Sequence, residues 1–330
     1  MIYQYLVSIR LMVYNHESYI REAIEGILKQ HTDFLVEVVI GDDFSTDKSL
    51  EIIREYQDTS NIHFKILERK VGDEYWLNRQ KLGRLHNFYN IIENCTGKYI
   101  ALLDGDDYWT DPLKLQKQAD FLEINHDYIV CSHDAKIIDV NGNVIKESKL
   151  PLNFKKDATS EELKNGFWLL TLGMMFRNLT ILKNYPKEGY DVVNGDIFLT
   201  SFLGQYGRSK YMSEVEPASY REHSDGIWSM TSKITKKINN FNTLFFIGKY
   251  YESIDDKVSK EIFLSCYIKG YWVFLSSFKY NWSFSSQIKI LKYTFIAFVK
   301  IKSLKYILNG IDKTFFLLLK KIILINKKKL

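Results

Sequence analysis

Short runs that are apolar almost throughout, each followed by a stretch of helical period, dominate the first part of this chain. The run at 6–13 (LVSIRLMV) breaks at 15–18. Apolar positions then recur at Ile20, Ala23, Ile24, Ile27 and Leu28, which predicts a helix over 19–30. A second run, 36–40, ends in Gly41-Asp42-Asp43 and gives way to a helix opened by Ser45 or Thr46. Further strands are predicted at 62–67, 99–103 and 128–131, and helices at 78–94 and 112–123, the latter opened by Pro112 in its first turn. Such strands have no polar face to give to water, so the fold class is α/β, a mostly parallel sheet with helices on both faces. In such sheets ligands lie beyond the carboxyl ends of the strands, which says where to look for chemistry.

Beyond residue 131 the signals are weaker. Asn141-Gly142-Asn143 marks a hairpin, and 155–160 is polar enough to be loop. From about 231 the composition shifts to Lys, Ile, Leu, Phe and Tyr, with no Pro and three Gly, and reads as several helices. Residues 231–330 hold 19 Lys and no Arg against 5 Asp or Glu, a net +14, whereas residues 1–230 hold 26 basic against 35 acidic residues, a net −9. The division expected is a catalytic domain over 1–230 and a basic, aromatic-rich helical region over 231–330 that associates with a membrane or a partner. Lys313, Lys320 and Lys327 recur every seven residues, as do Lys321 and Lys328, with Phe315, Phe316 and the apolar 317–319 and 322–325 between them. That is the pattern of an interfacial helix on anionic lipid; a helix packed on the catalytic domain with its lysines in water is the alternative. The arm lacks Arg and any recognisable nucleic-acid module, and the acidic body repels phosphate, so no nucleic-acid partner is expected.

Cys95, Cys131 and Cys266 form no CxxC pair, which argues against a disulfide framework or a zinc site and for a reducing compartment. The first strand-like run begins within a few residues of the start, so no signal-peptide layout is read, and no run reaches the roughly 18 apolar residues that span a bilayer. The expectation is a cytoplasmic protein able to lie peripherally on the inner face of the cytoplasmic membrane.

Acidic clusters mark the strand ends. Asp42 and Asp43 end the second strand, and Asp104, Asp106 and Asp107 end the fourth. Asp196 lies in a third candidate segment, Asn194-Gly195-Asp196-Ile197-Phe198-Leu199. Three carboxylates this close repel one another, and a divalent cation removes the penalty. Asp104 and Asp106 share a side in extended chain, Gly105 permits a sharp turn, and hard oxygen ligands suit Mg²⁺ or Mn²⁺. The alternative is an acidic turn leading into the next helix, where Asp111 is placed as an N-cap.

Several segments, in order, carry a resemblance to the inverting glycosyltransferases of family 2, which have the GT-A fold, and to the members that build bacterial cell-surface polysaccharide. Val7-Ser8-Ile9 through Asn15, and 19–24 with 27–30, resemble the family's opening strand and helix. Residues 38–47 (VVIGDDFSTD) resemble its DDxSTD segment, residues 97–109 (GKYIALLDGDDYW) its DxD segment, and 111–118 (DPLKLQKQ) the continuation. Residues 220–229 (YREHSDGIWS) are similar to its YRxHxxGxWS segment. The likeness covers roughly 5–230. It implies that Asp43 binds the donor's base, with Tyr14 and Asn15 in the loop beside the nucleotide, and that Asp42 is structural or shares that role. It implies that Asp104 and Asp106 hold ribose and metal-diphosphate, that Asp107 is a further ligand, and that His223 ligands the metal or touches the diphosphate, with Arg221 also reaching the diphosphate. Asp196 matches the catalytic base that takes the acceptor proton. Each has a plainer alternative: Tyr14 as a rim aromatic, Asp196 as a helix N-cap with Asp191 as competitor, His223 as a surface residue. Gly195 and Ile197 depart from the family, where an acidic or aromatic residue often flanks this aspartate.

The resemblance thus implies sugar transfer from a nucleotide-diphosphate donor, UDP-sugar favoured, to a glycan or lipid-linked acceptor hydroxyl, aided by Mn²⁺ or Mg²⁺, in the synthesis of capsule, lipopolysaccharide or another surface glycan. A sugar nucleotidyltransferase would carry a Gly-rich basic loop after the first strand, where this chain has Tyr14-Asn15-His16-Glu17. A non-catalytic, membrane-associated binding module is the other alternative, and the intact Asp104, Asp106, Asp196 and His223 speak against it. Lys81, Arg84 and Asn87 lie on the helix before the fourth strand, where they could reach phosphate or sugar, a solvated helix face being the favoured reading; His16, His86 and His133 receive no role.

Overall fold

Seven residues of continuous extended chain, Val7–Val13, form β1 at the centre of the main sheet. The computed structural model describes residues 3–224, 226, 231–279 and 284–301. After β1 come α1 (Ile20–Leu28), β2 (Val36–Asp42), α2 (Ser49–Ile53), β3 (Ile62–Ile66), α3 (Glu74–Leu82), α4 (Leu85–Glu93) and β4 (Tyr99–Asp104). Then follow α5 (Lys114–Ile124), β5 (Tyr128–Ser132), β6 (Ala135–Ile138), β7 (Val144–Lys146), α6 (Ser160–Lys164), β8 (Met175–Arg177), α7 (Gly195–Leu203), β9 (Arg208–Tyr211) and β10 (Ala218–Arg221). Helices α8 (Lys233–Ser253), α9 (Val258–Lys279) and α10 (Phe284–Ile301) complete the described chain.

The main sheet has the order β3-β2-β1-β4-β8-β5-β9, and a smaller one the order β10-β6-β7. Strands β3, β2, β1 and β4 are mutually parallel, whereas β8 runs antiparallel to both its neighbours. The register sets the site. Val13 pairs with Asp42 and Met12 with Asp104, so β1, β2 and β4 end level. The ladder runs one residue further, with Asp43 N–H donating to Val13 O and Gly105 N–H to Met12 O, both 2.9 Å.

One face of the sheet is apolar. Val7, Ile9, Leu11, Val38, Ile40, Ala101 and Leu103 pack with Ile24 and Ile27 of α1 and Leu115, Ala119 and Leu122 of α5 in one core cluster. Each buried Val, Leu or Ile among them contributes about 1.5–3 kcal/mol. The opposite face is not what an apolar run suggests: Ser8, Arg10 and Glu37 are all buried there. Glu37 Oε1 accepts from the Ser8 hydroxyl, the Thr96 hydroxyl (2.8 Å) and the backbone N–H groups of Thr96 and Gly97. One carboxylate thereby ties β1 and β2 to the turn that enters β4. Gly97 is required there, since a Cβ would lie 2.6 Å from Ser8 N.

The structure corrects several expectations. The single helix over 78–94 is two, broken at Gly83, whose φ of +77° lies in the left-handed region. The helix after β2 starts later, at Ser49, because Asp42 folds back to accept from Ser45 N–H and Oγ–H and Asp47 accepts from Ser49 N–H. Asp111 accepts from Leu113 N–H at 2.8 Å in the preceding turn and is not the helix N-cap, which is Leu113, so α5 begins at Lys114 and not at Pro112. The hairpin at 141–143 joins β6 to β7 with Gly142 at φ +84°. Strands β8, β9 and β10 have no sequence signal because each has only three or four residues.

The chain divides into two compact units, Met1–Lys236 and Lys237–Leu330, so the change of composition at 231 falls a few residues before the division. In the second unit α9 and α10 pack on each other, and Gly270 lies where a Cβ would meet Thr294 and Phe241. Ile288, Lys292, Phe295 and Val299 are exposed at helical spacing on α10, as are Ile268, Lys269 and Trp272 on α9. No helix among the described residues is long and apolar enough to cross a membrane. The lysine stripe at 313–328 lies outside the described residues.

Candidate active site

Asp104, the last residue of β4, receives a 2.7 Å ion pair from Arg10 Nη1, which reaches it from the middle of β1. Arg10 is wholly buried, its guanidinium 4.6 Å from the Phe88 ring of α4. Burial pushes the Asp104 carboxyl up, Arg10 pulls it down and Asp106 adds repulsion, leaving it above the ordinary carboxylate range.

Two residues on, Asp106 Oδ2 meets His223 Nε2 at 3.1 Å and His16 Nε2 at 3.8 Å. Burial raises this carboxyl, but the His223 hydrogen bond and the His16 charge outweigh it, so it lies below the usual range. Gly105 between them does not have a left-handed φ; the sharp-turn reason expected for it is replaced by close approach. A Cβ at Gly105 would stand 2.8 Å from His16 Nδ1 and 3.0 Å from Ile20 Cδ1. His223 is carried in by β10, whose Ser219 forms an antiparallel bridge with Tyr108.

Two expected contacts face elsewhere. Asp107 turns to β10, where its Oδ1 accepts from Arg221 N–H at 2.9 Å, and burial with the Asp106 charge pushes its carboxyl well up. It braces the loop against β10 while staying close enough to feel the Asp106 charge. The Arg221 guanidinium, expected at the diphosphate, is occupied by protein: Asp106 O at 3.2 Å, Asp139 O and Val140 O at 3.1 and 3.2 Å, and Glu22 Oε2 at 2.9 Å. Both residues fix the position of β10, and so of His223.

At the β2 end, Asp42 is committed to the Ser45 turn, while Asp43 accepts from Tyr75 OH at 2.9 Å and from Arg79 Nε at 3.0 and 2.9 Å. Arg69 lies 3.6 Å over the Tyr75 ring and donates to Asp42 O, Asn87 Oδ1 and Asn90 Oδ1; His86 stacks on the ring's other neighbourhood at 5.0 Å. Helix α3, which brings Tyr75 and Arg79 to Asp43, buries none of its own side chains. Asn15, at φ +54°, accepts from Thr46 N–H at 2.8 Å through Oδ1 and links the first two strand-end loops. Tyr14 beside it is 52% exposed, a rim aromatic in this structure.

Asp196 sits in the first turn of α7, whose N-cap is Asn194, so it is not itself the cap. Burial raises its carboxyl and the Asp104 charge adds to this, while Arg84 opposes. The structure therefore brings Asp104, Asp106 and His223 together, and the Asp104 charge helps to raise the Asp196 carboxyl. Residues the sequence did not single out also converge here: Arg10, Tyr75 and Arg79, joined by His16, to which the sequence assigns no role, and Arg84, whose sequence reading is part of a solvated helix face. A charge inside an apolar run was the available signal for Arg10; α3 has no apolar period to align Tyr75 and Arg79. Asn87, read as part of a solvated face, is buried and donates to Gly41 O at 3.1 Å.

Among the described residues no three His, Cys, Asp or Glu side chains are grouped so as to hold a metal ion. Asp106 and His223 nevertheless present a carboxylate oxygen and an imidazole nitrogen side by side, a partial set that fits Mn²⁺ or Mg²⁺ if phosphate and water complete the shell.

The profile of glycosyl transferase family 2 matches residues 8–184, across β1 to the segment after β8, and the chain belongs to that family. An uncharacterised protein of Mycobacterium tuberculosis is 34% identical over 223 residues, 67% of this chain and 60% of the relative, so the match spans under two thirds of that protein. Staphylococcus aureus TarS 1–349 in complex with UDP-GlcNAc superposes with a TM-score of 0.60 at 19% identity, covering 87% of this chain and 79% of that one. The mannosyltransferase PcManGT of Pyrobaculum calidifontis, with GDP-Man and Mn²⁺, gives 0.53 at 15% identity over 91% and 87%. At these identities the likeness establishes the shared GT-A fold.

Proposed function

We propose that this chain transfers a sugar from a nucleoside-diphosphate donor, UDP-sugar favoured, to an acceptor hydroxyl by a single inverting displacement. The observation that carries the reading is the convergence of Asp104, Asp106 and His223 at the level ends of β1 and β4, with Asp196 close enough to feel the Asp104 charge. In the reaction the acceptor oxygen bonds to C1 of the donor sugar, the C1–O bond to diphosphate breaks on the opposite face, and Asp196 takes the hydroxyl proton. A base raised by burial suits that proton better than an ordinary carboxylate. Asp43, steadied by Tyr75 and Arg79, marks the base end of the donor, with Tyr14 and Asn15 at the same rim. Asp104, held by Arg10, faces the ribose. When bound, Mn²⁺ or Mg²⁺ held by Asp106 and His223 supplies charge neutralisation to the leaving diphosphate. The family and the likeness to TarS favour a surface-glycan or lipid-linked acceptor, and the basic second unit favours docking on anionic lipid.

The test is nucleoside-diphosphate release from a panel of UDP-, GDP- and TDP-sugars, with and without Mn²⁺. Asp196→Asn is expected to lower kcat by about 10²–10⁴ while donor still raises the melting temperature. Turnover by Asp196→Asn at the normal rate would remove Asp196 as the base.

A further inference from the structure

Between α3 and α4, Arg84 is fixed against the segment that carries Asp196. Its Nη2 donates to Val193 O at 2.6 Å. The next residue, Leu85, lies so near Gly195 that a Cβ there would come within 2.8 Å of Leu85 Cδ2. One turn on, Tyr89 OH faces Gly189 O at 3.2 Å and Gly195 O at 3.5 Å. The first turn of α4 is thus the seat of the 193–196 segment, and Arg84 stands exposed at its edge.

The chemistry of this arginine differs from that of three others around the site. Arg10, Arg79 and Arg221 each end on a carboxylate: Asp104, Asp43 and Glu22. Arg84 ends on a backbone carbonyl, and most of its five N–H donors remain for something else. Partial desolvation lowers its guanidinium, and Asp196 is the carboxylate whose charge opposes that. A cation there works against the base, since it favours the ionised carboxylate and weakens its pull on a proton. An anion held on the guanidinium during reaction would cancel that effect and leave Asp196 to the burial that raises it.

We infer that Arg84 is an acceptor-recognition residue, and that the acceptor carries an oxyanion beside the hydroxyl to be glycosylated. This rests on Asp196 being the base. A guanidinium fork anchored at one end to Val193 O offers its remaining edge to two oxygens of a phosphoryl or carboxylate group. The contact does two jobs: it selects acidic acceptors over neutral ones, and it sets the hydroxyl at the distance from Asp196 that the Val193–Asp196 segment fixes.

The experiment uses the full chain saturated with whichever of UDP, GDP and TDP binds tightest, in Mn²⁺, so that the donor's phosphate positions are filled. Methyl phosphate and acetate are then titrated as separate probes, followed by ligand-observed NMR. The wild-type protein is expected to bind at least one probe in the millimolar range, and Arg84→Gln to weaken it by about tenfold or more. Arg84→Lys should retain part of the affinity, because the charge survives and the fork does not. Melting temperature and nucleotide affinity report on folding and on the donor site. If no nucleoside diphosphate binds, the underlying transferase reading fails. If nucleotide binds but neither probe does, or Arg84→Gln binds the probes as wild type does, the acceptor inference is overturned. Loss of nucleotide binding in Arg84→Gln would assign the residue to the donor and overturn it equally.

Discussion

At the scale of single residues, the candidate site depends on atoms that have no room to move. Gly105 and His16 are the clearest pair, because the imidazole lies where the glycine's Cβ would be. Gly105→Ala is expected to lower stability by about 1–3 kcal/mol through overpacking, and to lose most of that cost in a His16→Ala background. Chemical unfolding of the four proteins checks this; equal costs in both backgrounds would mean the strain lies elsewhere. Asp196 yields a prediction in pH. Its folded-state carboxyl is raised by burial, so the base is lost to protonation at higher pH than for an exposed aspartate. The acidic limb of kcat should therefore lie above the ordinary range near 4 and fall as pH drops through it. Arg84→Gln removes the one opposing charge and should move that limb further up. A kcat profile flat from pH 7 down to about 4 contradicts the assignment.

At the scale of elements, Glu37 is the member whose loss should be felt furthest from the site. Glu37→Ala removes the acceptor of the Ser8 hydroxyl and of Thr96 N–H, while Gly97 N–H keeps Ser8 Oγ at 2.7 Å, and is expected to cost about 2 kcal/mol in urea unfolding. A cost below about 1 kcal/mol would show that water replaces the carboxylate. The strands β1 to β5 and their helices were legible in the sequence because a parallel sheet covered on both faces requires apolar runs, and those runs are long. The acidic strand ends were legible for the same reason: the register levels β1, β2 and β4. What stayed hidden has physical causes. Arg10 pairs with Asp104, and Glu37 with Ser8, Thr96 and Gly97, contacts between distant segments that no periodicity encodes. Gly83 splits one apparent helix by adopting φ +77°, and α3 is placed by Tyr75 and Arg79 reaching Asp43, a contact between segments more than thirty residues apart. Asp107 and Arg221 were assigned to ligands because the motif names residues and not directions; in the fold they hold β10.

At the scale of the whole molecule, the acidic first part and the basic second part set the surroundings each prefers. The full chain is expected to co-sediment with vesicles containing phosphatidylserine, to leave them as salt is raised to about 0.5 M, and to ignore purely zwitterionic vesicles, since each lysine near an anionic surface contributes about 1 kcal/mol. Equal binding to both vesicle types would sink the electrostatic account. Replacing Ile288, Phe295 and Val299 by serine tests whether the apolar stripe on α10 enters the lipid. The bridge between Tyr108 and Ser219 has a consequence of a different kind. His223 arrives just after β10, when nearly all of the first unit has been made, yet its partner Asp106 lies just past a strand completed more than a hundred residues earlier. The Asp106–His223 contact is therefore the last part of the candidate site that synthesis can complete, after the strand-end loops of β1, β2 and β4.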